Sequence, residues 1–439
     1  VNIILKYLGM SRKNFGIFLV ITFSTCIYWW SGIKSVIYEP FRKALGVSNT
    51  QLGFLLGLIG FVQIFGYLLL GWIQDLVSIR DLIFMDLWGY GIFALILGLV
   101  PNLPYWFLIV AFMAFGLFGD AIYWPTVQKT TKGVASETTQ AATFSTQEAI
   151  RSIMGLIITP TTLALFTIAG SHVSSARVPM IAYPIFMMLF SFVVLRFIPK
   201  DFMHEKDVRT SNADKPKTRN GFLMIVKAMK LPVVWTTGFG AFVAYLIYVA
   251  TSTYFLPFVQ ASFHLSDTAA GLFGIVNSGL MGVIAALFSG ILSTTRFKTS
   301  PQWMALLYAI IGCMCLLITV VPHTPAMMFP VVIICCLTTF VCVAIRAVYY
   351  APIGEYGVPS DISATAMSIA SFIGYCPAFF GYMMFGAIID GFRTQTAYRI
   401  IFLLLAAMSV AGIVICLLGH GVIMSKRKRD AAVTQPIGE

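Results

Sequence analysis

Long apolar runs alternate with short polar breaks along almost the whole chain. The runs fall near 14–38, 52–73, 82–100, 104–124, 141–168, 178–198, 232–258, 267–293, 302–321, 324–350, 363–389 and 397–420. Each is long enough to cross a hydrocarbon layer, which takes about 20 mostly apolar residues in a helix. The pattern therefore predicts twelve transmembrane helices and an all-α integral membrane fold. Gly and Pro punctuate the breaks, as in Pro101-Asn-Leu-Pro104 and Pro322-His-Thr-Pro325. Several runs carry Ser, Thr and Gly at spacings that suit helix–helix contact.

One polar stretch, 200–230, is much longer than the others and separates six runs from six. Its end, Gly221-Phe-Leu-Met-Ile-Val-Lys-Ala-Met-Lys230, has the pattern of a basic amphipathic helix lying on the inner leaflet. Three short matches link the two sides of this linker. Phe15-Gly-Ile-Phe18 matches Phe239-Gly-Ala-Phe242, and Val47-Ser-Asn-Thr-Gln-Leu-Gly53 matches Leu265-Ser-Asp-Thr-Ala-Ala-Gly271. Asp120-Ala-Ile-Tyr-Trp-Pro125 matches Arg346-Ala-Val-Tyr-Tyr-Ala-Pro352 with one inserted residue. Their common order and similar offsets predict two six-helix halves in parallel repeat. The expected organisation is an N-terminal half at 1–199, a cytoplasmic linker at 200–230, a C-terminal half at 231–424 and a basic cytoplasmic tail at 425–439.

Composition agrees with the pattern. Of the 439 residues, 59% are hydrophobic and 10% charged, against about 25% charged in a soluble domain. A soluble chain could not hide that much apolar surface in one core. The net charge is +12, and its distribution explains it. With both termini inside, 21 Lys and Arg fall on inner segments and 5 on outer ones, as basic residues do on the cytoplasmic side of a membrane. No basic stretch interleaves with stacking aromatics, so nucleic acid is not an expected partner. The eight cysteines all lie in apolar runs without Cys-x-x-Cys pairing, and the five histidines lie in loops or at run ends. There is no Walker-type glycine loop, metal-ligand cluster or nucleophile elbow. No cofactor, metal or enzymatic activity is expected. The first run follows Lys6, Arg12 and Lys13, exceeds the core of a signal peptide and has no small-x-small cleavage site, so it reads as a retained span.

Charges inside the runs carry the candidate chemistry, because each is costly at the bilayer centre. They are Lys34, Asp120, Glu148, Arg151 and Arg346. Lys34, near the outer end of run 1, reads either as a snorkelling anchor or as a substrate ligand. Glu148 and Arg151 share a face at i, i+3. They read as a structural ion pair, or as an anion site that also couples to a proton. Aromatics with polar tips cluster near the same depths, among them Tyr28, Trp30, Tyr248 and Tyr349. Such side chains suit a sugar-like or aromatic substrate. The candidate substrate-binding set is Tyr28, Trp30, Lys34, Glu148, Arg151, Tyr248 and Tyr349.

Between runs 2 and 3 the chain reads Gly71-Trp-Ile-Gln-Asp75-Leu-Val-Ser-Ile-Arg80. With the twelve runs and the repeat, this segment resembles the major facilitator superfamily, whose loop signature is Gly-x-x-x-Asp-(Arg/Lys)-x-Gly-(Arg/Lys)-(Arg/Lys). Gly71, Asp75 and Arg80 match it, while Leu76, Ser78 and Ile79 depart from it. The resemblance implies that Gly71, Asp75 and Arg80 help latch the halves on the cytoplasmic side. It also implies that runs 4 and 10 line a central cavity, so that Asp120 and Arg346 read as a gating pair of opposite charge, or as charges that each pair locally, for example with Lys129 or Glu355. Run 11, with Ala364-Thr-Ala-Met-Ser, Phe372-Ile-Gly374-Tyr375, Gly386 and Asp390, resembles organophosphate:phosphate antiporters within that superfamily. The arginines those antiporters use to grip phosphate are not matched: run 1 offers Lys34 beside the expected position, and run 7 has no cation.

The expectation is a monomeric secondary transporter in the inner or plasma membrane, with both termini cytoplasmic. It would move a small polar, anionic organic solute of sugar-derivative or organic-acid type. Alternating access, coupled to protons or an exchanged counter-anion, would drive it. The alternatives are a transporter-like receptor that senses a solute, and a drug or cation exporter.

Overall fold

The computed structural model describes residues 5, 8–70, 73–134, 140–200, 202, 221–285 and 297–434, and every regular element among them is helical. Twelve of the described helices are long and apolar enough to span a membrane. They are α1 (Arg12–Ser35), α2 (Asn49–Gly66), α3 (Ile79–Leu99), α4 (Tyr105–Thr131), α5 (Thr146–Ile168) and α6 (Val173–Phe197), then α7 (Pro232–Phe263), α8 (Asp267–Ala285), α9 (Ser300–Val320), α10 (Pro325–Tyr356), α11 (Thr365–Gly391) and α12 (Thr394–Asp430).

Each apolar run thus becomes a helix, with ends displaced by a few residues. Polar caps set several true starts. Ser48 accepts from the Gln51 amide at 3.2 Å while Gln51 Oε1 accepts from the Ser48 amide at 2.9 Å, a reciprocal box that opens α2. Ser78, Ser266 and Thr299 cap α3, α8 and α9 in the same way with their side-chain oxygens. The second repeat match is therefore a pair of helix starts, Ser48 and Ser266.

The chain divides into two compact units. The first holds residues 1–215 with 265–275, and the second holds 216–264 with 276–439. The first unit thus adds the start of α8 to the expected N-terminal half. Within it α3 packs along α6, where Trp88 Nε1 donates to Ser191 Oγ at 2.8 Å. At Gly116 on α4 a Cβ would stand 2.9 Å from the Ile59 carbonyl oxygen of α2, so only glycine permits that approach. The second unit repeats the scheme. There α9 packs along α12, and α7 lies so close to α11 that a Cβ on Gly374 would reach 2.8 Å from Ala241 Cβ.

Several spans depart from α-geometry in their middles. α1 passes through 3₁₀ turns at Thr25–Tyr28 and Ile33–Ser35. Three spans contain π-turns: α4 at Gly116–Ile122, α7 at Ala250–Tyr254 and α8 at Ile275–Leu280. A π-turn shifts the hydrogen-bond register and is frequent at functional sites. Around the turns of α7 and α8, Asn277 donates to the Thr251 carbonyl at 3.0 Å and accepts from Thr339 Oγ1 at 2.7 Å.

At the tail end of the second unit, Glu355 accepts from the Ser300 amide at 2.9 Å and from its hydroxyl. Lys426 on α12 donates to the Tyr356 and Gly357 carbonyls at 2.6 and 3.0 Å, where α10 ends. A cation there satisfies carbonyls left open at a helix C-terminus. The linker helix, Gly221–Met229, does more than the expected surface helix: Ala228 is fully buried against Val233, Ile353 and Ala370, while Ile225 and Met229 stay exposed.

Candidate functional site

Each unit holds an arginine flanked by two aromatic rings inside its spans. In the first unit, Arg151 on α5 pairs with Glu148 at 2.5 Å and stacks over the Trp124 ring at 4.7 Å. The Tyr28 ring stands 6.0 Å from the same guanidinium. Tyr28 is itself fixed, since its hydroxyl donates at 2.8 Å to the Gly119 carbonyl inside the π-turn of α4. Its ring meets Tyr123 and Trp124 edge-on, and Tyr123 shares a 2.7 Å hydrogen bond with Ser24. Three expected residues, Tyr28, Glu148 and Arg151, thus come together, and Trp124 joins them. Glu148 is open, with 60% of its side chain exposed, while Arg151 has 26%.

In the second unit, Arg346 on α10 lies 3.6 Å over the Tyr248 ring and 5.5 Å from that of Tyr245, both on α7. Tyr349 and Tyr375 face each other at 3.1 Å between hydroxyls, and Tyr375 meets Tyr245 edge-on at 5.1 Å. No carboxylate among the described residues pairs with Arg346, and its Nε is buried without a hydrogen-bond partner. The expected residues Tyr248, Tyr349 and Arg346 therefore share one cluster. Tyr245 and Tyr375 belong to it and were not among them; the i, i+3 spacing of Tyr245 and Tyr248 was the available signal.

The other expected residues sit apart from these clusters or outside the description. Trp30 is 1% exposed and enclosed by Phe41, Phe112 and Phe115, which makes it part of the core of the first unit. Lys34 is half-buried on a 3₁₀ turn, and its ammonium donates to the Ser31 carbonyl at 3.1 Å. Asp120 occupies the π-turn of α4 and is half-buried. Arg80 binds its neighbour Asp81 at 3.0 Å. Gly71 and the side chain of Asp75 lie outside the described residues, as does most of the linker. One in-span charge escaped the sequence reading altogether: Asp86 of α3, which is 1% exposed.

A family model described as Major Facilitator Superfamily matches residues 15–382. The chain belongs to that superfamily: it is a multi-pass membrane transporter by family and fold, not an enzyme. Its relatives include the "Inner membrane protein YihN" of Escherichia coli (strain K12), 24% identical over 410 residues, which are 92% of this chain and 95% of the relative. Among solved structures, the fold is shared with a bacterial homologue of the human lysosomal transporter Spinster in an inward-facing, occupied conformation. That match has 14% identity and a TM-score of 0.68 over 95% of this chain and 97% of the other. A D-xylose-proton symporter matches with 15% identity and a TM-score of 0.65 over 92% and 97%.

Proposed function

We propose that this protein is a secondary transporter of the inner membrane that carries a small anionic organic solute, of sugar-acid or organic-acid type. The observation that carries the reading is Arg346. A guanidinium within a span is costly, and the rings of Tyr248 and Tyr245 offset only part of that, about 2 kcal/mol for a desolvated cation–π contact. With no carboxylate of its own, the group is suited to an anion supplied from outside, and the surrounding tyrosine hydroxyls suit the polar remainder of the solute. The inner-membrane location follows the relative named an inner membrane protein.

Coupling is proposed for Glu148. An arriving anion would draw Arg151 away from it, and the carboxylate would then take up a proton; exchange for a second anion is the other possible driving force. Asp120 and Arg346, opposite in sign at matching repeat positions, are proposed as a gate that competes with substrate for the same guanidinium. The protein would act as a monomer with both termini in the cytoplasm.

A thermal-shift screen of the purified protein tests the reading, using sugar phosphates, sulfonates, sugar acids and nucleosides. The expected result is stabilisation by an anionic member in wild type and none in Arg346→Gln. Stabilisation by neutral nucleosides alone, or by an anion equally in both proteins, would sink the proposal.

A further inference from the structure

Asp86 lies midway along α3, 1% exposed, and its Oδ2 has no hydrogen-bond partner. One turn on, on the same face, Tyr90 is 2% exposed and its hydroxyl is also without a geometric hydrogen-bond partner, the neighbouring Ser31 hydroxyl donating to the Tyr28 carbonyl instead. The Tyr90 ring is held firmly: it stacks on Phe115 at 4.3 Å, and a Cβ on Gly119 would come within 3.1 Å of it. Gly119 belongs to the π-turn of α4, which also carries Asp120. Two unpartnered polar groups are thus sealed between α3 and that turn.

Helices α1, α4 and α6 pack on α3. From α1 come Cys26, buried, and Tyr28, whose hydroxyl is committed to Gly119. From α4 come Asp120, of like sign, Tyr123, which is bonded to Ser24, and the half-buried Lys129, which forms no ion pair with Asp86 among the described residues. From α6, Arg177 spends its guanidinium on the Gly98 and Ala44 carbonyls, Tyr183 shares a bond with Thr162, and Arg196 lies over the Phe197 ring. On α3 itself, Arg80 and Asp81 satisfy each other. Among the described residues, no cation forms an ion pair with Asp86.

We infer that Asp86 is a proton-binding site of the first unit, occupied while the side chain is sealed and vacated when α3 and the π-turn of α4 part. An ionised carboxylate without a partner costs several kcal/mol out of water. A proton on Oδ2 removes that charge. A sodium ion could take the place of that proton only within a cage of several oxygens. On opening, the Oδ2–H bond breaks, the proton passes to entering water as hydronium, and the carboxylate is left hydrated. That this proton drives transport rests on the secondary-transport reading above; its binding to Asp86 does not.

The test is difference infrared spectroscopy on the full-length protein in lipid nanodiscs, with no substrate present. At neutral pH wild type should show a protonated-carboxyl C=O stretch with one component that Asp86→Asn loses. Asp81→Asn should keep that component, and Asp86→Glu should keep it at a displaced frequency. The glutamate variant guards against a misfolded asparagine variant. Identical bands in wild type and Asp86→Asn, with Asp86→Glu showing no displaced component, would overturn the inference. So would loss of the component when sodium replaces potassium at fixed pH, since the site would then take a metal ion. Because no solute is used, these results are independent of the anion screen.

Discussion

The two units solve the same problem differently. Each holds an arginine flanked by two aromatic rings within a span, yet Arg151 has its own carboxylate at 2.5 Å and Arg346 has none among the described residues. Their neighbours correspond in kind: Tyr28 and Trp124 attend one guanidinium, Tyr248 and Tyr245 the other. An internal counter-ion makes a buried cation tolerable in the empty protein. A missing one leaves a charge that something else must neutralise. In the first unit the cation is balanced by a carboxylate three residues away, and in the second no described carboxylate balances it.

The sharpest way to break this contrast is to remove the unbalanced charge. Arg346→Gln should weaken binding of the stabilising anion by 100-fold or more, on the scale of about 3–5 kcal/mol for one partner of a buried charge pair. Arg346→Lys should recover part of it, because a point charge replaces the planar fork. Titration calorimetry would read both, and equal affinity in wild type and Arg346→Gln would erase the distinction between the units.

A second variant addresses the balanced arginine. Glu148→Gln should abolish accumulation driven by a pH gradient in proteoliposomes while counterflow persists, since exchange needs no net proton movement. Normal gradient-driven uptake would remove Glu148 from the coupling step.

A third experiment asks whether the units communicate through charge. Asp120→Asn and Arg346→Gln should each increase access of thiol reagents to the half-buried Cys376, next to Tyr375, from the cytoplasmic side, by about 1–3 kcal/mol of conformational bias. The swap Asp120→Arg with Arg346→Asp should restore part of the wild-type pattern. Additive single effects without rescue would show that the two do not pair.

The smallest expected effect concerns the rings. Tyr248→Leu keeps bulk but removes the π face over which Arg346 lies at 3.6 Å. A loss of about 0.5–2 kcal/mol, roughly 2- to 30-fold in affinity, is expected by the same calorimetry. Trp124→Leu should cost less, because Glu148 still balances Arg151.

Much of this architecture was legible before any coordinates. The twelve helices follow from apolar length alone, and the Ser48 and Ser266 match marks two helix starts, since both residues cap a helix. The arginines were legible for a similar reason, since a charge in an apolar run stands out. Which of them owns a counter-ion was half legible: Glu148 at i−3 announced the first. That Arg346 meets tyrosines and no described carboxylate depends on how α7 and α11 turn toward α10, and no local pattern encodes that. Tyr245 and Tyr375 were missed on the same account. Asp86 was missed although the rule that found Asp120 applied to it equally. Trp30 read as a site aromatic from its depth alone, but depth does not say which way a ring faces, and its ring packs against Phe41, Phe112 and Phe115.

The π-turn at Gly116–Ile122 has an evolutionary reading. Such a turn is what an α-helix becomes when one residue is inserted and the flanking segments keep their faces. Deleting one residue there would restore regular winding and swing everything beyond it by about 100°. Tyr123 would leave Ser24, and Trp124 would leave Arg151, although no contact residue had been substituted. Length, as much as residue identity, is what inheritance has to preserve at this point of the chain, and single-residue deletions should be tolerated far less here than in the breaks between the spans.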